Sequence, residues 1–157
     1  MTDSAARVQA ALDALGANIR VQVFDVPTAT AQEAADAIGC ELGAIVKSLC
    51  FMVAGEPVLV LAAGDRRVDS KALRRIFGAS KRQVTIADPE TVLHVTGYEV
   101  GGVPPLGHAQ PLKTLIDQSL ARFATVYAAA GTPHAIFPIA YETLVALTGA
   151  GVEEVTS

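Results

Sequence analysis

A lysine at position 47 lies in the middle of the apolar run AIVKSLCFMV, which spans residues 44–53. If this run is a β-strand, every second residue from Ile45 to Val53 lies on one face, and Lys47 is surrounded there by apolar side chains. Burial of an ammonium group is costly unless a partner or a function offsets the cost. One interpretation is that the stem covers apolar surface while the amine reaches water. The other is an oriented cation at the floor of a pocket, which holds a carbonyl or phosphate oxygen.

A second candidate is the stretch GYEVGGVPPLGH at residues 97–108, which contains four glycines and two adjacent prolines. This composition excludes regular structure and predicts a loop. Glycines give the loop unusual backbone angles, and the prolines stiffen it. The backbone N–H groups of Gly101 and Gly102 could therefore approach a ligand with no Cβ in the way. The alternative is an ordinary surface loop.

A third candidate is the segment AAGTPH at residues 129–134, at the turn between two predicted strands. His134 could donate a hydrogen bond to a substrate or carry a proton near neutral pH. A single histidine at the start of a strand can equally be structural.

Hydrophobic periodicity and turn residues predict the elements that position these residues. Helices are predicted at 4–15, after the capping box Thr30–Glu33 up to Gly39, at 70–77, from Pro89 to Gly97 and from Tyr141 to Gly149; strands are predicted at 20–26, 44–54, 57–63, 112–117, 124–130, 134–139 and at the end of the chain. Successive strands exclude a simple βαβ repeat. The order predicts a single α+β domain over residues 1–157, with a mixed, mostly antiparallel sheet flanked by helices.

The charge distribution is uneven. The net charge of −4 argues against a general nucleic-acid-binding protein, but seven of the 12 basic residues lie within residues 66–82, where only Asp69 opposes them. We call these seven the basic segment: Arg66, Arg67, Lys71, Arg74, Arg75, Lys81 and Arg82. It could face a polyanion, or it could be a solvated helix face.

Several classes of chemistry have no support in the sequence. There is no GxGxxG or P-loop motif, no GxSxG elbow and no HExxH motif. Cys40 and Cys50 lie ten residues apart, without a CxxC motif or a histidine at ligand spacing, so we expect neither a metal site nor a bound cofactor. The start MTDSAARVQAAL has no apolar core after a basic stretch, and we expect a cytoplasmic location.

Taken together, these segments resemble the YbaK/prolyl-tRNA synthetase-associated family, the trans-editing aminoacyl-tRNA deacylases. The matching stretches are TATAQEAADAIGCELGAIVKSL (28–49), VDSKALRRIFGASKRQVTIADPETVLHVTGYEVGGVPPLGH (68–108) and AAAGTPHAIFPI (128–139). They cover most of residues 28–150. The most specific of them are the lysine-bearing strand and the GxxxP loop.

The resemblance implies a curved mixed sheet with a pocket for the aminoacylated 3′ end of tRNA. It carries the central lysine of the family onto Lys47 and the glycine-proline loop onto Gly101 through Pro105. His134 corresponds to a pocket histidine of the synthetase-embedded members, and Gly131, Thr132 and Pro105 are expected with it in the substrate site.

The implied reaction needs few side-chain catalysts, because an aminoacyl ester is already activated towards water. Lys47 would orient the carbonyl or the terminal phosphate, backbone N–H groups of Gly101 or Gly102 would stabilise the oxyanion, and the basic segment would steer the tRNA acceptor stem. The amino acid removed from the tRNA is expected to be a small one, such as Ala, Ser, Thr, Cys or Pro. Two alternatives keep the same pocket: a module that binds an amino acid or aminoacyl-tRNA without hydrolysis, and an accessory protein of an aminoacyl-tRNA synthetase.

Overall fold

The computed structural model describes all residues from 1 to 157, which form five α-helices and eight β-strands. In chain order the elements are α1 (Asp3–Ala14), β1 (Gln22–Val23), α2 (Ala31–Ile38), β2 (Ile45–Val53), β3 (Glu56–Ala63), α3 (Ser70–Phe77), β4 (Val84–Ile86), α4 (Pro89–Thr96), β5 (Lys113–Asp117), β6 (Thr125–Ala129), β7 (Ala135–Ala140), α5 (Tyr141–Thr148) and β8 (Gly151–Glu153). Three short 3₁₀ helices lie between them.

All eight strands belong to one sheet. Its order is β1-β7-β6-β2-β3-β5-β8, and β4 pairs separately with β2. Four of the strand pairs are antiparallel and three are parallel. The predicted α+β fold with a mixed, mostly antiparallel sheet is therefore confirmed.

Local sequence signals explain most element boundaries. The side chain of Thr30 accepts a hydrogen bond from the N–H of Glu33, whose carboxylate accepts one from the N–H of Thr30, so the predicted capping box starts α2. The β2–β3 hairpin turns at Ala54 and Gly55, both with positive φ (49° and 83°), one residue earlier than the sequence indicated. Positive φ at both positions is typical of the type I′ turn that two-residue hairpins favour.

Two short strands depart from the predictions. The predicted strand 20–26 shrinks to β1, whose two residues are exposed and pair only with the edge of β7. The sequence analysis did not predict β4, because only one of its three residues is buried and the strand has no hydrophobic pattern. It forms by pairing with Phe51 to Val53 of β2, a contact that the local pattern does not contain.

The two faces of the sheet are covered differently. The larger core lies on one face, where residues of α1, α4 and α5 such as Val8, Val95 and Leu144 pack on the strands. The other face carries two smaller clusters, one under α2 with Ile45 and one under α3 with Phe51. Lys47 follows Ile45 on that second face, so it lies between the two clusters and neither helix covers it.

Residues 155–157 tie the end of the chain to residues 67–69. The N–H of Asp69 donates to the Val155 carbonyl (2.7 Å), and the N–H of Ser157 donates to the Arg67 carbonyl (3.0 Å). The carboxylate of Asp117, which is fully buried at the end of β5, anchors this terminal segment. It accepts hydrogen bonds from the N–H groups of Val155 (2.8 Å) and Thr156 (3.1 Å) and from side-chain and backbone donors of Ser119.

We expect Asp117→Asn to destabilise the fold by about 3 kcal/mol at neutral pH, because an amide nitrogen would face groups that donate to a carboxylate. Burial by itself raises the pKa of Asp117, but the hydrogen bonds from Ser119, Val155 and Thr156 outweigh it and hold the pKa below its ordinary value. Because the folded-state pKa is depressed, this stabilisation is present above the ordinary aspartate pKa of about 3.9 and is lost as the pH falls through the lower folded value.

Urea unfolding between pH 2 and pH 7 measures this contribution. The difference between wild type and Asp117→Asn should be largest at pH 7 and should shrink in acid. Asp25→Asn, at an exposed position outside any helix or strand, is the control. Equal unfolding free energies for wild type and Asp117→Asn at pH 7 would contradict the role of this carboxylate.

Candidate functional site

A gap in strand pairing opens the candidate site. On one edge of β2, β6 pairs only with Ile45 and Val46, and β4 pairs only from Phe51 onwards. The stretch from Lys47 to Leu49 has no neighbouring strand on that side. A cavity of about 500 Å³ adjoins this stretch, between β2, β6, the start of α2 and the glycine-proline loop.

The cavity wall is mostly apolar, and many of its side chains are small. It is lined by Thr28, Ala29, Thr30, Ala31, Ala34, Ile45, Val46, Lys47, Ser48, Leu49, Val100, Gly101, Val103, Tyr127, Ala128, Ala129 and Ile136. Five alanines and a glycine take up little of this space and leave room for a ligand. The site therefore suits a small organic group that is held by few polar contacts.

Lys47 lies at the border of this cavity. Its Nζ donates a hydrogen bond to the backbone carbonyl of Arg66 (2.5 Å), which fixes the direction of the side chain. Burial lowers the pKa of Lys47; the Asp65 carboxylate partly offsets this effect, and Arg67 adds to it. Since an ammonium group has three N–H donors and the protein accepts only one of them, Lys47 retains donors for a ligand.

A second, more open groove begins on the other side of Lys47. Its lining residues are Leu42, Lys47, Leu49, Phe51, Gly64, Asp65, Arg66, Arg67, Val68 and Ile86. Asp65 forms a bidentate ion pair with Arg122 (2.7 and 3.0 Å). The guanidinium of Arg67 forms no ion pair and lies at the edge of the groove. Lys47 and Leu49 are the two residues that line both concavities.

The glycine-proline loop contributes one of its two predicted N–H donors. Gly101 lines the cavity, has a φ of +92° and donates its N–H to no acceptor in the protein. The N–H of Gly102, by contrast, donates to the Glu99 carbonyl (3.0 Å) and closes a tight turn. Of the two glycines predicted to stabilise an oxyanion, Gly101 is therefore the one whose donor is available, while that of Gly102 is engaged in the turn.

The turn explains both glycines. Gly101 occupies the third position of the turn from Glu99 to Gly102, where a positive φ is required in a type II turn. Gly102 has no room for a side chain, since an added Cβ would lie 2.8 Å from backbone atoms of Gly131 and Thr132. Gly102 therefore positions the loop against the segment before β7.

Hydrogen bonds within the loop hold its two ends together. The buried Thr96 hydroxyl accepts a hydrogen bond from the N–H of Tyr98 (3.1 Å), and the Tyr98 hydroxyl donates to the Gly107 carbonyl (3.3 Å). The ring Nε2 of His108 donates to the Pro104 carbonyl (2.7 Å). Burial lowers the pKa of His108, and the Pro104 carbonyl partly offsets that shift. These contacts give Gly101 a defined position beside the cavity.

Four predicted substrate-binding residues do not line the cavity. Pro105 is buried in the loop. Gly131 donates its N–H to the Gly102 carbonyl (2.8 Å), and the Thr132 hydroxyl accepts the N–H of His134 (3.0 Å). His134 is exposed, with Nδ1 3.2 Å from the Val26 carbonyl. These positions support the loop and the chain before α2, and a direct contact with a ligand in this cavity has no support.

The basic segment forms an exposed surface next to the groove. Six of its seven side chains are exposed, and Arg74 is half-buried. Arg66 and Arg67 border the groove, while the others lie on α3 and in the short turn that follows it. Within the segment, only Arg66 approaches a carboxylate closely, at 3.9 Å from Asp65.

Sequence reasoning missed several lining residues, notably Thr28, Ser48 and Tyr127. Ser48 follows the lysine directly, but the strand pattern placed it on the opposite face and gave no reason to consider it. Thr28 lies just before α2 and Tyr127 lies on β6, and only the folded chain brings both to the same cavity wall. Only the proximity of Thr28 to the capping box could have drawn attention to it.

Comparison with known proteins connects this site to a family. The model of the aminoacyl-tRNA editing domain matches residues 25–147. The chain belongs to the aminoacyl-tRNA editing domain family. This assignment confirms the resemblance found in the sequence, and the matched range contains every residue of the cavity wall.

Relatives of the editing domain occur alone and inside synthetases. YwhH of Bacillus subtilis strain 168, an uncharacterized protein, is 42% identical over 113 residues, which are 71% of this chain and 70% of YwhH. A proline–tRNA ligase of Xanthomonas campestris pv. campestris strain 8004 is 31% identical over 129 residues, which are 78% of this chain but only 22% of the ligase. A crystal structure of a candidate trans-editing enzyme for prolyl tRNA synthetase superposes with a TM-score of 0.94 at 40% identity and covers 100% of this chain and 99% of that one.

The editing domain offers no obvious metal centre. No group of three or more His, Cys, Asp or Glu side chains is placed to hold a metal ion. No helix of the protein has the length and the apolar character needed to cross a membrane.

Proposed function

We propose that this protein is an aminoacyl-tRNA deacylase, which hydrolyses the ester bond of tRNA charged with the wrong small amino acid. The observation that carries the proposal is the position of Lys47 at the border between a mostly apolar cavity and a more open groove with arginines at its edge. An aminoacylated 3′ end has the same two parts, a small side chain and a charged nucleotide, and the ester joins them. Membership of the editing family and the likeness to a candidate trans-editing enzyme support the proposal.

The amino acid would enter the cavity and the terminal nucleotide would lie in the groove. The mostly apolar cavity has room for the side chains of Ala, Ser, Thr, Cys or Pro, the small amino acids expected as substrates. In the groove, Leu49, Phe51 and Ile86 offer apolar surface for the base, and Arg67 offers a cation for a phosphate. The ester is thereby placed beside Lys47.

The chemistry needs orientation and charge stabilisation more than a nucleophile. The ammonium group of Lys47 would hold the ester carbonyl or the neighbouring phosphate, and the free N–H of Gly101 would donate to the oxyanion that forms when water attacks. The attacking water adds to the carbonyl carbon, and the ribose oxygen departs with a proton to leave free amino acid and uncharged tRNA. The structure places no carboxylate or imidazole in the cavity wall to act as a general base. A substrate hydroxyl or amine is the group left to orient the water.

Deacylation of a panel of charged tRNAs tests this function. tRNAs charged with Ala, Ser, Thr, Cys and Pro should be incubated with the protein, and the remaining ester measured over time. We expect at least one ester to be hydrolysed much faster than in buffer. Tight binding of charged tRNA without any turnover would instead identify a binding module, and activity only in the presence of a synthetase would identify an accessory protein.

The basic segment supplies a further prediction about tRNA binding. Arg74→Glu combined with Arg75→Glu should weaken tRNA binding and flatten its salt dependence, because fewer phosphates are neutralised on binding. Binding measured between 50 and 200 mM salt gives the slope. The control is Arg20→Glu, an exposed arginine outside the segment. Equal slopes for the double variant and wild type would mean that α3 presents only a solvated face.

A further inference from the structure

Two hydroxyl groups at the cavity have no partner. Thr28 Oγ1 and Ser48 Oγ are the buried side-chain polar atoms in this protein that make no hydrogen bond, and both residues line the same cavity. Thr28 is only 4% exposed. A buried hydroxyl without a partner destabilises a protein, so such groups are uncommon and call for an explanation. Their position at the cavity suggests one explanation, which is a ligand that forms hydrogen bonds with both groups.

The backbone beside Ser48 is also open. Ile45 accepts a hydrogen bond from Gly64 on the β3 side, whereas Cys50 accepts one from Ala87 on the opposite side. Because peptide groups alternate in direction along a strand, the N–H and C=O of Ser48 point the same way as those of Cys50, into the gap between β6 and β4. Ser48 therefore presents both an unpaired hydroxyl and an unpaired peptide group at the site.

Two of the other polar side chains at the cavity are already engaged, and the half-buried Tyr127 adds one further hydroxyl at its wall. The Thr30 hydroxyl caps α2, and Lys47 is held by the Arg66 carbonyl at the border with the groove. The peptide group of Ser48, Lys47 and the N–H of Gly101 suit the amine, carbonyl and phosphate that every charged tRNA has. The two buried hydroxyls without a partner, those of Thr28 and Ser48, are left for the part that differs between substrates, the amino-acid side chain.

We propose that Thr28 and Ser48 determine specificity by binding the β-hydroxyl of serine or threonine in the esterified amino acid. A substrate hydroxyl can donate to one of these oxygens and accept from the other, so all three groups are satisfied. An alanyl group fits the same space but leaves both protein hydroxyls unpaired. A site built to pair a hydroxyl discriminates against the analogue that lacks it. This inference rests on the proposed deacylase function for its kinetic test, but not for its binding test.

The kinetic test compares one tRNA charged with Ser, Thr or Ala. Wild type should hydrolyse the seryl and threonyl esters with a kcat/KM roughly tenfold to hundredfold above that for the alanyl ester. Thr28→Val and Ser48→Ala should each reduce the seryl-to-alanyl ratio about tenfold. Thr85→Val, at an exposed position on β4, is the matched control. Melting temperatures verify folding, which neither substitution should harm because neither hydroxyl has a partner within the protein.

The binding test uses 3′-serylamino-3′-deoxyadenosine and its alanyl counterpart, whose amide bonds resist hydrolysis. Calorimetry should show tighter binding of the seryl compound by wild type and loss of that preference in both variants. If no charged tRNA is hydrolysed but this preference is found, the deacylase function fails and the specificity inference stands. The inference is overturned if wild type binds the seryl and alanyl compounds with equal affinity, or if each variant loses affinity for both compounds to the same extent. Either result would mean that the two hydroxyls do not distinguish the amino-acid side chains.

Discussion

Lys47→Met is expected to lower the rate of deacylation by about 10²–10³-fold while the melting temperature stays the same or rises. The size of the loss is that found when one charge-stabilising donor is removed from an active site. Methionine keeps the length of the stem and its apolar contacts between the clusters under α2 and α3, but removes the partly desolvated ammonium group. Stability should therefore not suffer, because a costly charge disappears with its single hydrogen bond.

Rates and melting temperatures should be measured on the same samples, together with Lys113→Met as a control. Lys113 begins β5, is exposed and lies outside both concavities. Lys47→Ala adds a comparison in which the stem is lost as well. A folded Lys47→Met protein with the wild-type rate would remove the ammonium group from the mechanism. A fall in melting temperature of many degrees would show that the lysine is mainly structural.

Gly101→Ala should reduce turnover by about 10²-fold, with a smaller effect on stability. An alanine at a φ of +92° is strained by about 1–2 kcal/mol, and relief of that strain would rotate the free N–H away from the cavity. The new Cβ would also press on Ala29, whose Cβ lies 3.3 Å from its position. Both effects act where the ester is expected to bind.

Two further glycine variants separate strain from catalysis. Gly55→Ala has a similar φ of +83° but open space around it, so it should lose stability and keep its activity. Gly102→Ala forces a Cβ against the backbone of Gly131 and Thr132, so it should destabilise the fold by about 1–3 kcal/mol. Single-turnover rates and urea unfolding measure the two quantities. If Gly101→Ala and Gly55→Ala behave alike, the N–H of Gly101 has no role in turnover.

The fold was largely readable from the sequence because its signals are local. Capping residues and terminal glycines predicted the ends of α2, α3 and α4 to within about a residue. Gly55 indicated the β2–β3 hairpin. The failures at β1 and β4 have a common cause. Both strands are short and exposed, so they depend on pairing with β7 and β2 and have no hydrophobic pattern of their own.

The site was less predictable, because a cavity is a property of neighbours and not of a run of residues. Lys47 could be found because a charge within an apolar strand is a local anomaly. Gly101 and Gly102 look alike in sequence, and only the hydrogen bond to Glu99 distinguishes the free donor from the committed one. The unpaired hydroxyls of Thr28 and Ser48 could not be recognised at all, since a lack of partners is visible only when every neighbour is in place.

The backbone pairing of residues 155–157 with residues 67–69 has a practical consequence for anyone handling this protein. Residues 155–157 hold the segment that contains Arg66 and Arg67 in place. The carbonyl of Arg66 accepts the hydrogen bond that orients Lys47, and the side chain of Arg67 borders the groove. Deletion of residues 155–157, or substitutions that break their pairing, would loosen that segment. Such a preparation could lose activity although no residue of the cavity had changed.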